Sequence, residues 1–327
     1  MADEKSPEER DPEANARGGE GRPARWLDEQ VPGLANPVLD CIENRRSTRS
    51  YSDEPITDEE RRAILHAASR APSAGAMMFY SIVEVDDPEK RAALLHACDD
   101  QPFMRKAPLW LLFVADVRKW YDLYDHAGCH DDASLASFPE NARRSPGLGD
   151  LLLASQDAMC AAQTAVIAAE SLGIGSCYIG DCIEHGERVA ELLNLPSGTV
   201  PLSLLVFGHK KPARPGEVSV SCTVDDEPAS ADAGARPDPR AARTQTPHPV
   251  ANLFMRDGYH RADAAELDAQ VAELDEKFTP HAVANGAPAG ERVRKLYHRK
   301  HTSDFMAEMN RSAAWWLENW EAASPRG

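Results

Sequence analysis

The hydrophobic pattern of the chain alternates between short, continuous apolar runs and longer stretches with helical spacing. Residues 109–115 (LWLLFVA) and 200–207 (VPLSLLVF) are nearly continuous apolar runs of strand length. Such runs predict strands that are buried on both faces. Residues 79–85 (FYSIVEV) predict a third strand, and residues 177–180 predict a short strand or turn.

Helical patterns separate these strands. Thr57 and Glu60 form a capping box in front of an apolar face that ends at Pro72. Further helices are predicted over residues 88–98, 150–172 and about 184–193, and two or three charged helices are predicted in the tail. Helices that alternate with buried strands indicate a layered sheet covered by helices.

The same pattern divides the chain into three parts. Residues 1–36 are polar and contain little apolar surface to offset the ordering entropy, so we expect a disordered or extended segment. The main domain is expected over residues 37–260, with a Pro/Ala-rich excursion at about 211–249. Residues 261–327 are expected to form a C-terminal helical extension. Its tryptophans are expected to pack rather than to bind a ligand, namely Trp315, Trp316 and Trp320.

Charge narrows the possible partners. The formal net charge is -17, from 53 acidic and 36 basic residues. An acidic surface repels phosphate backbones and anionic lipid, so we expect neither nucleic acid nor a membrane as partner. No secretory segment and no apolar run of about 20 residues is apparent. The seven cysteines form no CxxC pair, which is typical of a reduced, cytoplasmic protein.

Three segments contain residues suited to ligand chemistry. Residues 45–49 (RRSTR) combine guanidiniums and hydroxyls, which suit a phosphate, although a solvated basic turn has the same composition. Residues 71–80 (APSAGAMMFY) are small enough for the backbone to approach a flat ligand, although an ordinary helix-to-strand turn is as simple an interpretation. Residues 168–181 contain a Gly-rich bend that either exposes N–H donors or only caps a helix.

Two other motifs are weaker. His126 and His130 have the four-residue spacing of metal ligands on one helix face, but Gly128 between them disfavours a helix. We therefore interpret this stretch as a substrate-facing loop rather than a metal site. No GxGxxG follows a strand, so a Rossmann domain is not supported.

Five segments taken together resemble the nitroreductase family of FMN enzymes. They are RRSTRSYSDEPIT, HAASRAPSAGAM, QPFMRKAPLWLLFVAD, AAQTAVIAAESLGIGSCYIG and LLVFGHKKP, in that order. The resemblance covers roughly residues 38–210 and continues more weakly to about residue 260. It implies an α+β fold with a mixed, mostly antiparallel sheet wrapped by helices. It also implies an intimate homodimer with two FMN sites at the interface.

The resemblance assigns a role to each matching residue. Arg45 and Ser47, with Arg46 between them, would hold the FMN phosphate and ribityl chain, and Arg49 would lie near the pyrimidine edge of the flavin. A late basic residue would complete the phosphate site, with Arg243 preferred and Arg240 as the rival.

The flavin ring would contact two other segments. The turn that contains Pro72, Ser73, Ala74 and Ala76 would come from the other subunit and lie along the ring. The bend at residues 178–181 would face flavin N5 through its backbone, with Tyr178, Ile179 and Gly180 as the predicted contacts.

One position departs from the family pattern. The family usually has Asn and then Gln in the turn after Pro-Ser, and here those places are Ala76 and Met78. The lost hydrogen bond to the isoalloxazine edge is worth about 0.5–1.5 kcal/mol. This loss is small against a charged phosphate anchor, but it leaves the substrate range and the reaction subtype open.

The expected activity is an FMN-dependent NAD(P)H oxidoreductase. Hydride would pass from NADPH or NADH through flavin N5 to a small acceptor such as a nitroaromatic, a quinone or another flavin, by a ping-pong mechanism. No protein acid, base or nucleophile is required, so no catalytic residue is expected. The alternatives are a reductive dehalogenase-like or flavin-consuming relative, a non-catalytic FMN-binding protein, and a scaffold that docks a partner through its Trp-bearing helices.

Overall fold

The computed structural model describes residues 36–129, 144–211, 258–259 and 261–323. Its strands are β1 (Tyr80–Glu84), β2 (Leu109–Asp116), β3 (Ile174–Ile179) and β4 (Thr199–His209). The helices that accompany the sheet are α1 (Pro37–Asn44), α2 (Asp58–Ser69), α3 (Pro88–Ala97), α4 (Arg118–His126), α5 (Leu148–Ser171) and α6 (Gly186–Leu193). The later helices are α7 (Ala264–Phe278), α8 (Pro280–Ala284), α9 (Glu291–Leu296) and α10 (Asp304–Glu321).

The four strands form one sheet in the order β1-β2-β4-β3. Each neighbouring pair is antiparallel, and a parallel bridge between Ser47 and Ser176 adds a short extended segment outside β3. The predicted α+β fold with a mostly antiparallel sheet is therefore confirmed. The order leaves β1 and β3 at opposite edges, with the two long apolar runs in the centre.

The two central strands are buried because each face of the sheet carries its own helical layer. Side chains alternate along a strand, so Trp110, Leu112 and Val114 face α3, α6 and α10, whereas Leu109, Leu111 and Phe113 face α2 and α5. The register shifts between Phe113 and Val114, and Ala115 packs in the first of these two clusters. All eight residues of β2 are buried. This confirms that the apolar run at 109–115 is a strand covered on both faces.

β3 differs from the sequence prediction. It begins at Ile174 rather than near Cys177, so the predicted Gly-rich bend is in fact paired strand, with Gly175 opposite Gly208 of β4. The glycine here permits close approach of another segment, as described below, and does not mark a turn. The following helix begins at Gly186 rather than near Glu184, because a short 3₁₀ turn and the left-handed His185 (φ 52°) precede it.

The C-terminal helices divide between two compact units. Of the described residues, one unit contains 36–129, 144–211 and 297–323, and the other contains 258–259 and 261–296. In the first unit, α10 buries Trp316 and Trp320, which confirms that these tryptophans pack. The predicted domain boundary at residue 261 stays a prediction.

By length and composition, α5 is apolar enough to cross a membrane, which is weak evidence on its own. The inner face of α5, including Ala158, Ala162 and Ala165, is fully buried within the hydrophobic core. This is the pattern of a helix at the centre of a fold.

Candidate active site

The RRSTR segment lies along the outer edge of β3. Ser47 forms a parallel bridge with Ser176, and the Thr48 N–H donates to the Ser176 carbonyl at 2.8 Å. The segment is anchored by Tyr51, which is fully buried, pairs with Lys210, and donates its hydroxyl to the Thr48 carbonyl at 2.7 Å. The two segments predicted to bind the cofactor, residues 45–49 and residues 178–181, are therefore neighbours.

Gly175 makes this neighbourhood possible. A Cβ atom at this position would lie 2.3 Å from the Thr48 hydroxyl oxygen and 2.6 Å from the Thr48 Cβ. Real Cβ atoms do not approach other atoms so closely, so any side chain at Gly175 would push the RRSTR segment away from the strand.

Two of the three guanidiniums in RRSTR reach the β3 edge. Burial raises the pKa of the Cys177 thiol above its ordinary value, and the nearby Arg49 and Arg45 act in the opposite direction. Burial also raises the pKa of Tyr178 to about 12, against the opposing charge of Arg45. Arg49 additionally lies over the Phe103 ring, 5.9 Å from its centroid. The structure therefore collects two cations and the Ser47 hydroxyl beside one strand.

Arg46 has a different environment. Its guanidinium donates to the carbonyls of Glu43 at 2.5 Å and of Arg45 at 3.0 Å. It therefore caps the carboxyl end of α1, because the last carbonyls of a helix have no hydrogen-bond partner within the helix. A contact between Arg46 and a cofactor stays a prediction.

The end of β3 is open on the side that the cofactor would need. Ile179 is buried, whereas Gly180 is exposed, and a Cβ built on Gly180 meets no protein atom within 4 Å. Backbone at an open glycine allows a flat ring to approach closely. Guanidiniums, a hydroxyl and an open backbone edge are a donor set that fits the phosphate and polar rim of a flavin mononucleotide.

The second predicted segment, the small-residue turn before β1, is held by a buried carboxylate. Asp157 of α5 accepts from the Ala74 N–H at 2.9 Å and from the Phe79 N–H at 3.0 Å, so that it closes both ends of the turn. The indole of Trp120 donates to the Met77 carbonyl at 2.7 Å from the other side. The turn is therefore rigidly positioned by α5 and α4.

The backbone of this turn is left-handed at three positions. Gly75, Ala76 and Met78 have φ angles of 57°, 57° and 49°. Positive φ is strained for alanine and methionine but not for glycine, and asparagine tolerates it better than most residues. Ala76 is exposed, as are Pro72 and Gly75, so the turn presents a small, uncovered surface.

A cavity of about 700 Å³ opens beside the turn. Its lining is mostly apolar, with Met77, Met78 and Trp120 from the turn and α4, and it carries Lys119 and His126 at its polar side. His126 ends α4 and Gly128 follows with φ 69°, so the predicted helix break is present. His130 lies outside the described residues, so the structure does not describe the pair that it would form with His126.

Within one chain, the turn and the RRSTR segment lie apart. The turn leads into β1, and RRSTR lies outside β3. These two strands are the opposite edges of the sheet. Strands are spaced about 4.8 Å apart, so four strands separate these edges by about 14 Å. The structure of one chain therefore holds the two segments at opposite edges of the sheet. Arg243 and its rival Arg240 also lie outside the described residues.

Asp157 was missed by the sequence analysis, although a signal was present. It is a single carboxylate within the Ala-rich stretch of α5, and it is 4% exposed. A charged residue on an otherwise apolar face needs partners when buried, and here those partners are backbone N–H groups. The role of Tyr51 as the buried anchor of RRSTR had no comparable signal.

The sheet, its two helical layers and the donor set at the β3 edge define an α+β protein with a site for a phosphate-bearing ligand. Residues 42–209 match the nitroreductase family model, which is half of the chain. The chain belongs to the nitroreductase family, as the five sequence segments predicted.

Named relatives agree with this assignment. The FMN reductase (NADPH) of Bacillus subtilis is 33% identical over 186 residues, which cover 55% of this chain and 71% of that protein. The oxygen-insensitive NADPH nitroreductase of Salmonella typhimurium is 33% identical over 192 residues, covering 57% and 73% of the two chains. The structure of B. megaterium NfrA1 covers 88% of this chain and 99% of its own at 22% identity with a TM-score of 0.64, which shows the shared fold.

Proposed function

We propose that this chain is an FMN-dependent NAD(P)H oxidoreductase that reduces small acceptors. The observation that carries the proposal is the alignment of RRSTR with β3, fixed by the bridge between Ser47 and Ser176 and by the close approach at Gly175. This alignment places two guanidiniums and a hydroxyl beside an open glycine edge in a chain whose net charge is -17. Relatives named as FMN reductase and NADPH nitroreductase support the same activity.

In this proposal the residues of the chain bind and orient the cofactor. Arg45 and Ser47 hold the phosphate and ribityl chain, and the backbone of Ile179 and Gly180 faces the ring. Arg49 supplies a positive charge near the pyrimidine edge, which favours electron-rich forms of the ring. When bound, FMN supplies hydride transfer from NADPH or NADH to a second substrate. We name no catalytic side chain, and Arg243 stays a predicted late phosphate ligand.

The cavity beside the turn supports an aromatic acceptor. Its methionine and tryptophan side chains suit a planar, aromatic ligand. We propose that NAD(P)H and a nitroaromatic, quinone or flavin acceptor use the flavin face in turn, by a ping-pong mechanism. We expect the protein to act in the cytoplasm.

We further propose that the active form is a homodimer. In each site, the small-residue turn at residues 72–76 is contributed by the other chain. The separation of the turn and RRSTR across the sheet supports this arrangement. Exposed apolar side chains on α1 and α5 supply surface for a second copy, with Val38 60% and Leu152 64% exposed. An obligate interface of this kind usually buries more than about 2,000 Å².

The activity is tested by the visible spectrum of the purified protein before and after anaerobic addition of NADPH or NADH. We expect a yellow protein with one FMN per chain whose flavin absorbance is bleached by the nicotinamide and restored by a quinone. Colourless protein that takes up no added FMN would overturn the proposal. FMN that neither nucleotide bleaches would indicate a flavin-binding protein without this activity.

The assembly is tested by sedimentation at nanomolar concentration. We expect a dimer that retains its FMN. An FMN-loaded, active monomer would contradict a site that is shared between chains.

A further inference from the structure

Three carboxylates converge near the end of β3, and one of them, Asp181, lies in the bend whose backbone is predicted to face the cofactor. Asp99 follows α3, Asp181 begins the 3₁₀ turn after Gly180, and Glu184 precedes α6. One oxygen of each carboxylate lies within 4.8 Å of the others. Like charges repel at such distances, so a group of three needs compensation to be stable.

Within this cluster, Glu184 has the greatest need of a compensating positive charge, because its carboxylate is buried. It is only 4% exposed, and its Oε2 atom has no hydrogen-bond partner. Buried polar atoms nearly always have a partner, and an unpaired buried carboxylate costs several kcal/mol. An orphaned carboxylate oxygen in a cluster of carboxylates points to a missing positive charge.

Several neighbouring groups bear on the charge of the cluster. The Gln101 amide donates to Asp181 but carries no charge. Glu308 of α10 adds a negative charge near Glu184, and Glu308 itself pairs with Arg311 at 2.8 Å and lies 3.5 Å from His185. Arg105 lies 3.8 Å from Asp100, the neighbour of Asp99 in sequence.

We propose that Asp99, Asp181 and Glu184 bind a divalent cation, and that this cation is Ca²⁺. Carboxylate oxygens are the ligands that hard cations prefer. The three oxygens lie within 4.8 Å of one another, so one ion can contact all three at Ca²⁺–oxygen distances of about 2.3–2.6 Å. We name Ca²⁺ because it accepts irregular sets of carboxylates, whereas Mg²⁺ demands near-ideal octahedral geometry and keeps several of its waters.

Such an ion would join two segments that are distant in sequence. It would tie the loop after α3 to the segment that follows Gly180, the predicted neighbour of the flavin ring. The ion would therefore stabilise the loop conformation beside the cofactor site without taking part in hydride transfer.

The test is calcium titration of the full chain, stripped with a chelator and followed by calorimetry and by the melting temperature. We expect one Ca²⁺ per chain, a higher melting temperature with Ca²⁺, and weaker binding of Mg²⁺. Asp99→Asn and Glu184→Gln should each weaken Ca²⁺ binding at least tenfold. Asp99 is exposed and left-handed (φ 58°), a conformation that asparagine accepts, so its variant should keep the fold.

The matched control is Asp100→Asn. Asp100 is also exposed and left-handed (φ 49°), but it faces His96 and Arg105 rather than the cluster. It should bind Ca²⁺ like the unmodified chain. Two results would overturn the proposal: no Ca²⁺ response in the unmodified chain, as expected if Glu184 is neutralised by a proton instead, or equal binding by all variants, as expected for general attraction to an acidic surface.

Discussion

Replacing Ala76 with asparagine tests the predicted position of the turn at the flavin. Ala76 is exposed and has a φ of 57°, between Gly75 with the same φ and Met77. The change adds an amide to a surface position, so it does not force a polar group into the core. Two separate effects are expected, one on the backbone and one on the cofactor.

The backbone effect follows from the left-handed conformation. A residue with a Cβ costs about 1–2 kcal/mol in this region, and asparagine is enriched there several-fold over most residues. A several-fold preference of asparagine over alanine for this conformation corresponds to a free-energy difference of about 0.8 kcal/mol. Ala76→Asn should therefore stabilise the fold by that amount, which raises the melting temperature by about 2 °C in a chain of this size.

The cofactor effect follows from the added hydrogen bond. If the turn faces the polar edge of the flavin, one new bond is worth about 1 kcal/mol and tightens FMN about five-fold. Ala76→Gly is the matched control, because glycine removes the Cβ strain without supplying an amide. The glycine variant should leave FMN affinity unchanged.

The assay is a fluorescence titration of the apoprotein with FMN, paired with a melting curve for each variant. Tighter FMN binding in Ala76→Asn alone supports the placement of the turn. Weaker FMN binding together with a lower melting temperature would refute it. A higher melting temperature with unchanged FMN affinity would confirm the backbone reasoning and reject the contact.

Other expected results follow from single contacts. Arg45→Ala should weaken FMN at least tenfold, since a charge-assisted hydrogen bond is worth about 1.5–3 kcal/mol, while circular dichroism shows an unchanged helical signal. Gly175→Ala should displace Thr48 and lose both stability and FMN, whereas Gly180→Ala should melt normally and lose FMN only, because its Cβ meets no protein atom. Asp157→Asn should lower the free energy of unfolding by about 1–3 kcal/mol, since its amide nitrogen cannot accept from a backbone N–H of the turn.

The sequence predicted the elements of the main unit well where one physical signal dominated. The continuous apolar runs gave β2 and β4, and the capping box at Thr57 is present with both of its hydrogen bonds. The predicted start of β3 was wrong because a glycine that forms a turn and a glycine that lets another segment approach look alike in sequence. Gly175 serves close approach of a neighbouring segment rather than a turn, and only the position of Thr48 distinguishes the two.

The site was predicted less completely, because several of its supports join distant parts of the chain. Asp157 lies 83 positions from Ala74, and no local pattern connects them. Arg46 was grouped with Arg45 on composition, but the helix that ends beside it supplies carbonyls that compete for its guanidinium. Side chains next to a helix end are drawn to that end, which residue type alone does not reveal.

The order of the strands supports the proposal that a second chain completes the site. The family resemblance implied that the turn at residues 72–76 comes from another subunit, and the sheet gives a physical reason for it. The turn is fixed to the β1 edge by Asp157, and RRSTR is fixed to the β3 edge by Gly175 and Tyr51. Both attachments are made by buried groups, so neither segment crosses the sheet without breaking the core. These two attachments therefore support the proposal that a flavin contacting both segments lies between two chains, with the turn from one chain and RRSTR from the other.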